Sequence, residues 1–206
     1  TTLIICFFSF TTLAQVSLTS ASGGTYTQDF NTLALSGTSS VVPAGWAFSE
    51  TGGNANTTYS TGTGSSATGD TYSFGPAGNS DRALGSLFSN SVITTTGAAF
   101  TNNTGKNITS ITIGYTGEQW RNGNVGRIDR ADFQYSTTAS SITSGTWTDL
   151  DLLDFSSPNI TIFGALDGNA LGNRTVISPQ TITLTIPAGA TFYIRWNDLN
   201  ATGADD

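Results

Sequence analysis

Histidine does not occur among the 206 residues. Its absence removes the usual general base, the Ser-His-Asp and Cys-His constellations and nearly every zinc site. Cysteine occurs once, as Cys6 in an N-terminal apolar run. If that run is cleaved, the mature chain has no thiol or disulfide chemistry. Charged residues make up only 10% of the chain, against about a quarter in ordinary domains. Lys and Arg number 7 against 14 Asp and Glu, a net charge of −7. With no basic face to displace counterions, nucleic acid and anionic membrane surfaces are excluded as partners.

What is abundant is small and polar. Gly numbers 24, and Ser and Thr together are roughly 30% of the chain, far above ordinary usage. No helical periodicity lasts beyond a turn or two. Period-2 alternation recurs instead: Ile111-Thr112-Ile113-Gly114-Tyr115-Thr116 and Ile182-Thr183-Leu184-Thr185-Ile186 each put apolar residues on one face. Phe133 and Tyr135 alternate with Asp132, Gln134 and Ser136, and Phe192, Ile194 and Trp196 with Tyr193, Arg195 and Asn197. One buried and one wet face is the pattern of antiparallel sheets. Turn signals at Thr104-Gly105-Lys106-Asn107, Ser144-Gly145-Thr146 and Pro187-Ala188-Gly189 separate the runs. The expected fold is therefore all-β, a two-sheet antiparallel jelly-roll-like sandwich. Its core would be aromatic, drawn from Trp46, Phe48, Phe74, Phe100, Tyr115, Phe133, Tyr135, Trp147, Phe155, Phe192 and Trp196.

The segment Leu3–Phe10, closed by Thr11-Thr12-Leu13-Ala14, has the h-region and cleavage pattern of a secretory signal. It is shorter than the about 20 apolar residues of a membrane span. The expectation is a signal peptide over 1–14, truncated at its start, with no membrane insertion after cleavage. Residues 15–206 then form one β-sandwich domain, with a Gly/Ser/Thr-rich surface loop at 54–69. The late strand Thr191–Asp198 runs into a Gly-Asp loop, so a C-terminal closing strand is expected to be missing.

Several segments occur in a familiar order: Gly69-Asp70-Thr71-Tyr72-Ser73-Phe74-Gly75, Asp81-Arg82-Ala83-Leu84-Gly85-Ser86-Leu87 and Gly117-Glu118-Gln119-Trp120-Arg121. Asp132-Phe133-Gln134-Tyr135-Ser136, Ala165-Leu166-Asp167-Gly168-Asn169 and Phe192-Tyr193-Ile194-Arg195-Trp196 follow. Over about residues 25 to 206 the chain resembles jelly-roll modules of secreted multidomain proteins of Bacteroidota-type bacteria. The resemblance implies a secreted or cell-surface module of a larger chain, monomeric, often beside nuclease-like or sorting domains. It brings no catalytic residue set with it.

Glycoside hydrolysis needs two facing carboxylates. Glu118 is the one carboxylate placed at a strand end with Arg195 as a possible neighbour, and no second is nominated, so no catalytic residue is expected. A sugar site needs an aromatic ring flanked by planar polar groups. By alternation from Tyr115, Glu118 and Trp120 fall on the outer face, and Tyr193, Arg195 and Asn197 take the outer face of the late strand. These five are the candidate ligand-binding surface. A bulge after Gly117 would instead return Trp120 to the core. Asp198, Asp205 and Asp206, with Asn200 between, are the candidate ligands of a structural Ca²⁺. Asp149-Leu150-Asp151-Leu152-Leu153-Asp154 reads as an edge segment, and Arg121, Arg127 and Arg130 as a hairpin loop with internal ion pairs.

The function expected is a non-catalytic extracellular module that binds a polysaccharide or another cell-surface partner, or acts as a scaffold. The rival is an accessory domain of a secreted hydrolase or nuclease whose catalytic domain lies downstream of residue 206.

Overall fold

The computed structural model describes residues 14–198. In chain order the strands are β1 (Val16–Thr19), β2 (Thr38–Ser39), β3 (Trp46–Thr51), β4 (Tyr59–Gly62), β5 (Asp70–Phe74), β6 (Ala83–Leu87), β7 (Ile93–Asn103) and β8 (Ile108–Glu118). They continue with β9 (Arg121–Asn122), β10 (Arg130–Ser136), β11 (Thr148–Asp149), β12 (Phe155–Ser156), β13 (Gly164–Ala165), β14 (Arg174–Ile186) and β15 (Thr191–Asp198). Helical structure among the described residues is confined to three single 3₁₀ turns, and none is long and apolar enough to cross a membrane.

One layer is a seven-stranded sheet in the order β1-β7-β15-β10-β11, with β3 added on β7 and β12 on β10. The opposing layer is interrupted. It consists of the two-stranded antiparallel sheet β14-β8 and a separate four-stranded sheet, β2-β4-β5-β6, while β9 and β13 form a small ladder beyond β8. The chain is thus the expected all-β sandwich. Two pairs depart from the antiparallel rule: β1 runs parallel to β7, and β4 parallel to β5.

The alternations sort as their sequences dictate. Ile111, Ile113 and Tyr115 of β8 and Ile182, Leu184 and Ile186 of β14 pack against Phe100, Phe133, Phe192 and Ile194 of the large sheet. Thr112, Gly114 and Thr116 are exposed. The β8/β14 ladder shifts register between Ile177 and Gln180, where Pro179 cannot donate and sits against Gly114, whose absent Cβ leaves it room. Across the layers, Trp196 Nε1 donates to Tyr115 Oη at 2.9 Å, and that hydroxyl donates to Leu153 O at 2.6 Å. Burial pushes the Tyr115 phenol well above its ordinary pKa.

The corner between β7 and β8 hangs on one side chain. Asn102, fully buried, donates to Lys106 O, Ile186 O and Pro187 O at 2.8–3.1 Å. It accepts from Thr104 N and Oγ1. This is the position of the expected Thr104–Asn107 turn.

The stretch 54–69 is corrected by the structure. It contains strand β4, which pairs with β2 and β5. Tyr59, its lone aromatic residue, is fully buried, edge-on to Phe48 at 5.9 Å, and donates to Val41 O. Small polar residues suffice there because both of their strand edges are paired.

Candidate functional site

Glu118 closes β8 opposite Arg174 of β14. Two residues on, Trp120 Nε1 donates to Glu118 Oε2 at 3.0 Å. Parity places Trp120 with Glu118 as expected, but its indole is only 5% exposed. It lies parallel to Phe74 at 6.2 Å, and Phe74 stacks in turn on Tyr72 at 4.9 Å. Gly168 lies against the indole, where any Cβ would collide with the ring at 2.4 Å. The open outer-face position expected for Trp120 is therefore corrected: the outer face of β5 and the 165–168 loop enclose it. Desolvation pushes the Glu118 carboxyl above its usual range, aided by Asp81 and Asp167 and opposed by the Trp120 hydrogen bond and Arg174.

Gln119, between them, points into a buried amide network. Its Nε2 donates to Asn159 O and Arg121 O, and its Oε1 accepts from Asn159 N. Asn122 donates to Asn159 O, Asn159 to Asn173 Oδ1, and Asn173 to Asp167 O. These amides staple three loops to the end of β8. The sequence marked the segment but assigned its weight to Glu118 and Trp120 alone.

Tyr193, Arg195 and Asn197 do share one face of β15, the face turned away from Phe192, Ile194 and Trp196. That face is covered by the 139–147 loop. Tyr193 donates to Ser140 O at 3.0 Å. Arg195 donates to Gln134 Oε1 through Nε (2.8 Å) and Nη2 (2.6 Å), and to Ile142 O at 2.9 Å. Its guanidinium lies 4.0 Å over the Trp147 ring. Asn197 donates to Gln134 Oε1 and accepts from Thr95. These bonds commit Tyr193 and Arg195 to holding the loop, and Asn197 to tying β15 to β7 and β10. The core cluster separates these three side chains from Glu118 and Trp120, so the five candidates do not form one surface.

Asp198 accepts from Ser86 Oγ at 2.8 Å, tying β15 to β6. Asp205, Asp206 and Asn200 lie outside the described residues. A different acidic group converges instead, with carboxylate oxygens of Asp132, Asp149 and Asp151 all within 4.8 Å of one another. Arg130 bridges Asp132 and Asp154 beside it, at 3.1 Å to each. Desolvation and the adjacent carboxylates Asp151, Asp132 and Asp154 push Asp149 up to about 6. As expected for this acidic segment, Asp149 is in an edge strand; Leu153 beyond it is fully buried. Of the expected hairpin loop the ion pairs form, Arg127 with Asp129 and, within β10, Arg130 with Asp132, but the hairpin is corrected: β9 pairs with β13, and β10 with β11, β12 and β15. Arg121 goes elsewhere, donating to Gly64 O with Phe163 against its guanidinium at 5.9 Å.

The feature that sequence reasoning did not place is a groove of about 1200 Å³ between the two parts of the second layer. Residues of β8 and β6 both border it, and Trp46, Phe100, Phe192 and Trp196 contribute its apolar surface. Trp46 lies nearly parallel to Trp196, 6.1 Å away, and its Nε1 donates to Tyr26 Oη at 2.9 Å. Trp46, Ile111, Ile113, Tyr115 and Trp196 belong to the core yet are only partly buried. Asp29, Asp81, Glu118 and Asp198 line the same groove. No family model matches the chain, and no curated protein or solved structure matches it.

Proposed function

We propose that the protein is a non-catalytic, extracellular β-sandwich module that engages its partner through the groove between β6 and β8. The observation that carries this reading is the groove itself: an open apolar channel into the sandwich that leaves tryptophan surface accessible. Large concave apolar sites with a few polar groups at the rim are where proteins bind ligands. The outer face of β15, with Tyr193 and Arg195 already bonded to the 139–147 loop, is the weaker candidate. The non-catalytic part rests on the lack of histidine, and the extracellular part on the N-terminal signal pattern.

The test is a binding screen against extracellular polysaccharides and polypeptides, with and without calcium, using two variants whose folding is checked by thermal melts. Leu84→Arg projects a charge from β6 into the groove, and Trp147→Ala uncovers the outer face around Arg195. Binding lost in Leu84→Arg and kept in Trp147→Ala supports the groove. The converse moves the site to the outer face. Hydrolysis of a bound glycan, abolished by Glu118→Gln, would overturn the non-catalytic reading.

A further inference from the structure

The groove lies between β6 and β8, each with one strand partner among the described residues, and the segment 23–30 also lines it, with Tyr26 edge-on to Phe100 at 5.5 Å and Phe30 edge-on to Trp46 at 4.7 Å. Among the described residues β8 pairs only with β14, and β6 only with β5. No backbone bond from the second edge of either strand to another element is present among the described residues. An unpaired strand edge offers a row of N–H and C=O groups at the strand spacing, which is a template for one more strand. Two such edges border one channel, and beneath them the side chains that a closed sandwich would bury remain half open: Trp46, Ile111, Ile113 and Trp196. Exposed edges and incomplete core burial occur at the same place. One added strand would satisfy both, by hydrogen bonding sideways and by placing alternate side chains on the apolar surface.

The charges around the channel define its occupant further. The arginines of the lining are held by the protein: Arg82 by Ser73 and Pro76 O, Arg121 by Gly64 O, and Arg130 by Asp132 and Asp154. The acids Asp29, Asp81 and Glu118 form no salt bridge among the described residues, and all three line the channel. With Asp129 and Asp198 also in the lining, five carboxylates stand against three arginines, so the rim carries net negative charge over an apolar floor.

Resting on the groove reading above, we propose that this channel is a β-strand acceptor. Its ligand is an extended polypeptide segment of a partner, apolar at alternate positions and basic at its ends. The segment pairs with the free edges of β8 and β6 and completes the second layer as β14-β8-ligand-β6-β5.

The probe is a synthetic peptide of about ten residues, alternating Thr and Val with Lys at each end, matched to the length of β8. Three relatives accompany it: the same peptide N-methylated at alternate residues, a version with Glu ends, and a version with the valines clustered. Binding is read by tryptophan fluorescence and by amide hydrogen exchange. The expected result is saturable binding that slows exchange in Ile108–Glu118 and Ala83–Leu87. N-methylation keeps the side chains but removes the backbone donors, and should weaken binding by about tenfold or more. Glu ends should weaken it in low salt, and high salt should shrink that difference.

Equal binding of the N-methylated or clustered peptide overturns the strand proposal. Amides on the free edge of β8 already protected before any peptide is added would mean the channel is filled by the chain itself, which overturns the partner proposal. A polysaccharide that binds and is lost in Leu84→Arg, with no peptide binding, overturns the strand while the groove reading stands. If neither ligand binds the folded protein, both fail.

Discussion

The indole of Trp120 donates to the carboxylate of Glu118, two residues earlier, at 3.0 Å, while the face of the same ring lies parallel to Phe74. A side chain with the spacing of a sugar-stacking platform is in fact a structural lid over the outer face of β5. Trp120→Ala should therefore cost about 3–5 kcal/mol of stability, as for other buried aromatic truncations. Trp120→Phe should keep most of the stack and release Glu118. Chemical denaturation of both variants checks this; an alanine variant within 1 kcal/mol of the parent, roughly the surface-substitution range, would contradict it.

Gly168 supplies the contact below that ring, with no room for a Cβ. Gly168→Ala should displace the indole and weaken its bond to Glu118. The expected signature is a lower melting temperature with a red-shifted Trp120 emission, read in a background where the other tryptophans are phenylalanine and which itself melts cooperatively.

Asn102 holds the carbonyls of Lys106, Ile186 and Pro187 in a fully buried corner. Asn102→Ala leaves those carbonyls without their donor and should destabilise the fold by about 3 kcal/mol. Asn102→Asp should be no better, because a carboxylate cannot donate to three carbonyls. Equilibrium unfolding at neutral pH distinguishes both from a surface substitution.

Arg195 binds Gln134 through two nitrogens, reaches Ile142 O and covers Trp147. Lysine keeps the charge but loses the fork and the flat stacking surface. Arg195→Lys should cost about 1–2 kcal/mol and speed proteolysis within 139–147, leaving cleavage elsewhere unchanged.

Asp149 shows how the acidic edge responds to pH. Its folded pKa, pushed up to about 6, lies above the ordinary aspartate value of 3.8. The folded state therefore binds the proton more tightly, and stability falls as pH rises from about 4 to about 6. Asp149→Asn removes the repulsion with Asp151 and Asp132. It should raise the melting temperature at neutral pH, with the gain vanishing near pH 4. A gain that persists in acid would assign the effect to something other than this carboxylate cluster.

Glu118 and Trp120 share a face by simple alternation from Tyr115, and that much was legible in the sequence. The covering of Trp120 was not, because Phe74 and Gly168 arrive from segments about 46 residues before and 48 after it, contacts that no local spacing encodes. The same holds for Tyr193 and Arg195, whose shared face was readable but whose 139–147 cover depends on where a loop of Ser, Thr and Gly folds back. In 54–69, composition misled: Tyr59 and its small neighbours form a strand because β2 and β5 offer them backbone partners.

By itself the sequence determined the chemistry and the material of the fold. Lacking histidine and rich in alternating β-branched and aromatic residues, the chain could only be a sheet protein without His-based catalysis, since residue types and period-2 patterning are local properties. Tertiary structure decided which faces are open. Burial is a property of two surfaces at once, and the channel is written in no single residue: it exists only because β6 and β8 end up beside it, each with one edge unpaired among the described residues.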